Sequence, residues 1–283
     1  MKFIPMLALM LLCHAVAANA VEETLEFGRF GKVRLYHQAA PSSHAVLLVS
    51  GDGGWSLGVV DMARELASRG ALVVGIDILH YLAKLDASPA KCTTPAVDLD
   101  SLSKYVQKKL GYQTYAPPIL IGYSSGATLV YAALVQSPPT TFAGAISMGF
   151  CPDLPVAKPF CRMDGLELQR LKKQKGYSFL PAGKLPDPWI VLQGDIDTVC
   201  SSSIAATYVN SVKEAELIRL PHVGHGFSVP KNWMPQLCDS YLKLTRPVHP
   251  EPARPAASVS GRNRTVAASS SLERRTRARH AAT

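Results

Sequence analysis

Between residues 21 and 245, short runs of β-branched and aliphatic residues alternate with amphipathic stretches of helical length. The apolar runs predict strands over Lys32–Tyr36, Ala45–Ser50, Ala71–Asp77, Pro118–Gly122, Ala143–Met148, Trp189–Gln193 and Ala215–Leu220. The amphipathic stretches predict helices over Leu57–Ser68, Leu99–Leu110, Ser125–Gln136, Ser202–Lys213 and Asn232–Leu244. Such alternation means an α/β fold, with a mostly parallel central sheet and helices on both faces. Residues 151–188 break the rhythm with prolines, glycines and a basic cluster at Arg170, Lys172, Lys173 and Lys175. That stretch reads as a short cap insertion over one end of the sheet, with a solvated surface helix as the alternative. After Thr245 the chain turns to Pro, Ala, Ser and Arg, so residues 246–283 read as a disordered basic tail.

The 283-residue chain carries a formal charge of +9. A charge of this size suggests nucleic-acid binding until it is placed along the chain. From Arg246 onward there are arginines at 246, 254, 262, 264, 274, 275, 277 and 279 against only Glu251 and Glu273, so the excess belongs mainly to the tail. The body is nearly neutral, and no nucleic-acid partner is expected. At the other end, Lys2, the apolar run Ile4–Val16 and Ala18-Asn19-Ala20 form a signal-peptide pattern over residues 1–20, with cleavage expected after Ala20. Export places Cys92, Cys151, Cys161, Cys200 and Cys238 in an oxidising compartment. Cys151 with Cys161, bracketing a proline-containing loop, is the first expected disulfide, and Cys200 with Cys238 the second. No metal-ligand spacing occurs, so neither a metal nor a cofactor is expected.

The chemistry is concentrated in Pro118-Ile119-Leu120-Ile121-Gly122-Tyr123-Ser124-Ser125-Gly126-Ala127, where an apolar strand runs into G-x-S-x-G and then into a helix. A sharp strand-to-helix turn of this kind lifts one serine hydroxyl above the strand end, which makes Ser124 the candidate nucleophile. A serine needs a base, and the base needs an orienting carboxylate. After the strand Trp189–Gln193 comes Gly194-Asp195-Ile196-Asp197, and after the strand ending at Leu220 comes Pro221-His222-Val223-Gly224-His225-Gly226-Phe227. The order Ser, Asp, His is that of α/β-hydrolases. Asp197 emerges later in its loop than Asp195, which is suited instead to capping the loop or the next helix. His225, between two glycines, is the expected base, whereas His222 against the strand end reads as a partly buried structural histidine. A strand also ends in Ser50-Gly51-Asp52-Gly53-Gly54-Trp55, so the Asp52 or Gly53 N–H, with that of Ser125, is the candidate oxyanion hole. Trp55 and Tyr123 either line the substrate pocket or pack the core.

At Ser50-Gly51-Asp52-Gly53-Gly54-Trp55, Val74-Gly75-Ile76-Asp77 and Gly122-Tyr123-Ser124-Ser125-Gly126-Ala127 the chain resembles the VirJ-type bacterial virulence proteins, which include the related AcvB proteins. The likeness spans about residues 40–245. It implies a periplasmic serine hydrolase of α/β-hydrolase fold, acting in some members on the aminoacyl ester of lysyl-phosphatidylglycerol. It equally implies an association with type IV secretion, which a non-enzymatic binding protein on this scaffold would satisfy. A general carboxylesterase is the third expectation. Where the family tends to show a doubled histidine before phenylalanine, this chain has Gly224-His225-Gly226-Phe227.

Overall fold

A computed structural model describes residues 21–39, 42–163 and 165–246. The expected leader, residues 1–20, and the expected tail beyond Arg246 lie outside the described residues. In chain order the elements are β1 (Val21–Phe27), β2 (Gly31–His37), β3 (His44–Val49), α1 (Val60–Ser68), β4 (Ala71–Ile76), α2 (Ile78–Asp86), α3 (Pro95–Lys109), β5 (Ile119–Tyr123), α4 (Ser125–Gln136), β6 (Gly144–Met148), β7 (Asp153–Leu154), β8 (Leu168–Arg170), β9 (Tyr177–Phe179), β10 (Trp189–Gly194), α5 (Ser202–Asn210), β11 (Ala215–Leu220) and α6 (Met234–Thr245). Eight strands form one sheet in the order β1-β2-β4-β3-β5-β6-β10-β11. The β1–β2 and β2–β4 pairs are antiparallel, and every other pair is parallel. All the strands from β4 to β11 in that order therefore end on one edge of the sheet, where an open α/β sheet gathers its functional loops.

Side-chain alternation along each strand separates two apolar layers. Leu47, Val49, Val74 and Leu120 face one layer with residues of α2, α3, α4 and α5. Val46, Leu48, Val73, Ile119 and Ile121 face the other, with Met62 and Leu66 of α1 and Leu237 and Tyr241 of α6. Helices thus cover both faces, as the apolar periodicity requires. Outside residues 151–188, two elements were not expected from that periodicity. The acid-rich Val21–Phe27 forms an edge strand, and Ile78–Asp86 forms a helix directly after β4, capped by Asp77, whose carboxylate accepts from the Leu79 and His80 amides.

Helix α4 is buried along its whole length, because it is apolar all round and something must cover its outer side. Part of that cover comes from residues 151–188. They fold as a small antiparallel sheet, β7-β9-β8, and not as a surface helix. Leu154, Phe160, Leu168 and Phe179 from this stretch join the core cluster that contains α4. Polar groups tie the two together: Thr128 Oγ1 donates to the Cys151 carbonyl, and the Ala182 amide donates to Tyr131 Oη.

The disulfides differ from those expected. Cys92 pairs with Cys161 and Cys151 with Cys200, while Cys238 is free and buried. The reason is topological. Strands β6 and β10 are adjacent and parallel, so the loops that follow them, carrying Cys151 and Cys200, lie side by side. Thr93 and Phe160 form a bridge in which the Thr93 amide donates to the Pro159 carbonyl and the Cys161 amide to the Thr93 carbonyl, which brings Cys92 to Cys161. This second disulfide staples the small sheet to the segment between α2 and α3. For a sequence separation of 69 residues, the chain-entropy relation gives about 4 kcal/mol. Changing Cys92 and Cys161 together to serine is expected to lower Tm by roughly ten degrees, followed by circular dichroism. An unchanged Tm would show that the cap is held without the staple.

Candidate active site

Ser124 sits between β5 and α4 with φ 54° and ψ −121°. This left-handed backbone on a non-glycine residue costs of the order of 1–3 kcal/mol, held here by the surrounding sheet and helix. Its own amide donates to the Met148 carbonyl of β6, so the turn is anchored to the neighbouring strand. The flanking glycines make the tight turn possible. A Cβ on Gly122 would stand 2.1 Å from the Gly126 carbonyl oxygen, and one on Gly126 2.5 Å from the carbonyl oxygens of Val49 and Ser50. Helix α4 therefore starts in contact with both β5 and the end of β3, as close as backbone permits.

The two loops expected to supply base and acid meet this serine. Ser124 Oγ lies 2.9 Å from His225 Nε2, and His225 Nδ1 lies 2.8 Å from Asp197 Oδ2. The Asp197 side chain has no solvent exposure, and its carboxylate is saturated with donors. Oδ1 accepts from the Val199 and Cys200 amides, and Oδ2 accepts from Gln193 Nε2 as well as from the imidazole. A carboxylate can only accept, so the proton of the imidazole resides on Nδ1 and the Nε2 lone pair faces the serine hydroxyl. Asp195 takes neither capping role expected of it. It forms an exposed ion pair with Arg219 of β11. His222 is not partly buried but exposed, in a turn at φ 61°.

Gln193 is a participant that the sequence did not reveal. It is buried in β10; its amide donates to both Asp197 Oδ2 and the Cys200 carbonyl, and its Oε1 accepts from the Phe150 amide. It fixes the acid loop to the loop after β6, which the Cys151–Cys200 disulfide does covalently a few residues away. Its position at the C-terminal end of a central strand, pointing inward as a polar residue among apolar ones, was the available signal.

Tyr123 and Trp55 do not line the cleft in front of Ser124, which corrects the substrate-binding expectation in favour of packing. The Tyr123 ring packs against His225 and Phe227, and its hydroxyl donates to the His225 carbonyl. Burial, then the charges of Asp197 and Asp52, push that hydroxyl above the ordinary tyrosine value, which keeps it a donor under the histidine loop. Trp55 is buried, its indole N–H donating to Tyr36 Oη. It fills the slot left by Gly75, where a Cβ would stand 2.1 Å from the indole. Its backbone amide donates to Asp77 Oδ2, and Ser50 Oγ accepts from the Ile78 amide, so the start of α2 holds the glycine-rich loop in place.

In front of Ser124 lies a cleft of ≈ 660 Å³ bordered by Asp52, Ser125, Cys151, Asp153, Leu171, Lys175 and Val199, among others. Asp52 borders it, whereas Gly53 packs against Leu57. The Asp52 amide makes no backbone hydrogen bond among the described residues, and the Ser125 amide, at the first position of α4, has no helical acceptor. Both residues border the cleft. The loop between β8 and β9 forms part of the wall. Lys175 within it pairs with Asp86, which also accepts from the Ala157 and Lys158 amides. Among the described residues no group of three or more His, Cys, Asp and Glu side chains is arranged to hold a metal ion.

Residues 43–148 match the family model described as bacterial virulence protein (VirJ). That span runs from β3 to β6 and holds the glycine-rich loop and Ser124, but neither Asp197 nor His225. The VirJ-type resemblance read from the sequence is thereby supported. No curated protein matches the chain. Among solved structures, Est1E from Butyrivibrio proteoclasticus is similar at a TM-score of 0.50 and 10% identity, over 78% of this chain and 97% of that one. The likeness supports the α/β-hydrolase fold expected from the sequence. In total 806 solved chains match, so the fold is a common scaffold and leaves the substrate to be argued from the site. Two disulfides fit an exported protein.

Proposed function

We propose that this VirJ-type, hydrolase-like chain is a serine hydrolase of the bacterial periplasm that cleaves a carboxylic ester, with the aminoacyl ester of an anionic phospholipid such as lysyl-phosphatidylglycerol as its substrate. The observation that carries the reading is the unbroken hydrogen-bond relay from Ser124 through His225 to Asp197, opening on a cleft. In this reading Ser124 Oγ attacks the ester carbonyl while His225 Nε2 takes its proton. The oxyanion that forms is received by the Asp52 and Ser125 amides. His225 then returns the proton to the leaving alcohol. In the second half the same imidazole activates water to release the acyl group from Ser124. Asp197 keeps the imidazole in the required tautomer and stabilises its charged form.

Asp52 and Asp153 on the cleft wall favour an acyl group that carries an ammonium, which supports the aminoacyl part of the reading. The test begins with a fluorophosphonate probe on the purified full chain. Covalent labelling mapped to the Ser124 peptide is the expected result. Absence of labelling on a folded protein would defeat the serine-hydrolase reading. Faster turnover of short p-nitrophenyl esters than of any aminoacylated lipid presented in micelles would remove the lipid part alone.

A further inference from the structure

Five large aliphatic side chains stand exposed on loops or helix starts that follow strands of the parallel edge: Leu57 after β3, Leu79 after β4, Ile196 and Val199 after β10, and Val229 after β11. They are 46% to 69% exposed, well beyond what a single chance surface residue would explain when four separate loops repeat it. Four of them are tied to the site. Leu57 packs on Gly53 and Leu79 on Gly54 of the glycine-rich loop, Ile196 lies against Gly224 just before His225, and Val199 borders the cleft itself. The strand order puts their loops on the sheet edge that carries Ser124, on both sides of β5, as a broken apolar ring.

The charges around this ring are uneven. Lys172 and Lys173 are exposed at the tip of the β8–β9 loop, between Leu171 and Gln174, which border the cleft, and Lys231 follows Val229. Three of the acids nearby are paired and two are not. Asp52 and Asp153 border the cleft, while Asp61, Asp86 and Asp195 pair with Arg64, Lys175 and Arg219. An aliphatic ring flanked by the unpaired Lys172, Lys173 and Lys231 has the composition of a surface that inserts at an anionic lipid interface.

We infer that this ring is the face by which the protein docks on an anionic lipid bilayer, placing the cleft mouth at the headgroup level, where an ester in the membrane is reached without leaving it. The inference rests on the serine-hydrolase reading only for its purpose, not for the docking itself. The test uses the purified full chain, a Leu57→Ser/Leu79→Ser/Ile196→Ser/Val229→Ser variant and a Lys172→Glu/Lys173→Glu variant. Each is sedimented with vesicles of equal phosphatidylglycerol and phosphatidylcholine, and with phosphatidylcholine alone. Wild type is expected to partition onto the anionic vesicles, and each variant at least about tenfold less. Turnover of a short soluble ester, measured on the same samples, is expected to be unchanged in the Lys172→Glu/Lys173→Glu variant, whose residues touch neither the triad nor the glycine-rich loop. Wild type remaining in solution, or a serine variant that binds as well as wild type, as attachment through the arginine-rich C-terminus alone would produce, overturns the docking face. So does loss of an envelope-protein contact on serine substitution with vesicle binding intact, which would make the ring a protein interface. Soluble-ester turnover absent from wild type would instead count against the hydrolase reading, so the two failures are distinguishable.

Discussion

Replacing Ser124 by alanine is expected to lower kcat for ester hydrolysis by about 10⁶-fold and to abolish fluorophosphonate labelling, with the fold intact. The substitution removes one oxygen and keeps the Cβ, so the left-handed turn at φ 54° is neither relieved nor worsened. The anchoring bond from the residue 124 amide to Met148 is also unchanged, because it involves only backbone. What is lost is the atom 2.9 Å from His225 Nε2. Without it the imidazole has nothing to deprotonate except water, and the amides at Asp52 and Ser125 stabilise an oxyanion that seldom forms. Adding His225→Ala to Ser124→Ala should cost little more, since the two groups act on one proton transfer and their effects do not add. The measurement is steady-state hydrolysis of a p-nitrophenyl ester alongside a thermal melt. A residual rate within about tenfold of wild type, on a protein of unchanged Tm, would show that some other group performs the attack.

How much of this arrangement was legible in the sequence depends on the distance over which each feature is encoded. The strand-turn-helix around Ser124 is wholly local, since the apolar run, the two glycines and the helix start lie within ten consecutive residues, and so it could be read directly. The convergence of Ser124, His225 and Asp197 was accessible through chain order, because loops that follow parallel strands share one edge. The disulfides were not, because proximity along the chain favoured Cys151 with Cys161 while adjacency of β6 and β10 brings Cys151 to Cys200. Trp55 misled for a similar reason. An aromatic residue in a glycine-rich loop suggests a pocket wall, and only the partner position, Gly75 on β4, shows the slot that takes the indole inward. The cap strands are two or three residues long, too short for any period to register. Helix α2 carried a signal that was overlooked, Asp77 as an N-cap directly after a strand.

Asp197→Asn is the second large effect, with kcat expected to fall about 10⁴-fold while Asp195→Asn stays within about twofold of wild type. The four donors around the carboxylate decide the outcome. An asparagine has one acceptor oxygen where the aspartate has two, and the Oδ1 position already faces two backbone amides that cannot turn away, those of Val199 and Cys200. The oxygen therefore takes that side, and the NH₂ group faces His225 Nδ1 and Gln193 Nε2. A donor opposite Nδ1 draws the imidazole into the other tautomer, with its proton on Nε2, pointing at Ser124. In that state the histidine has no lone pair with which to take the serine proton. The buried donor facing Gln193 also costs about 1–3 kcal/mol unless that amide reverses, and reversal would in turn break its bonds to Cys200 and Phe150. A modest fall in Tm should accompany the loss of rate. Asp195 has only an exposed bond to Arg219, so its amide changes neither the tautomer nor the core. Measuring kcat and fluorophosphonate labelling rate for both variants separates the two carboxylates. Equal rates for Asp197→Asn and wild type would mean that His225 is oriented without the buried acid.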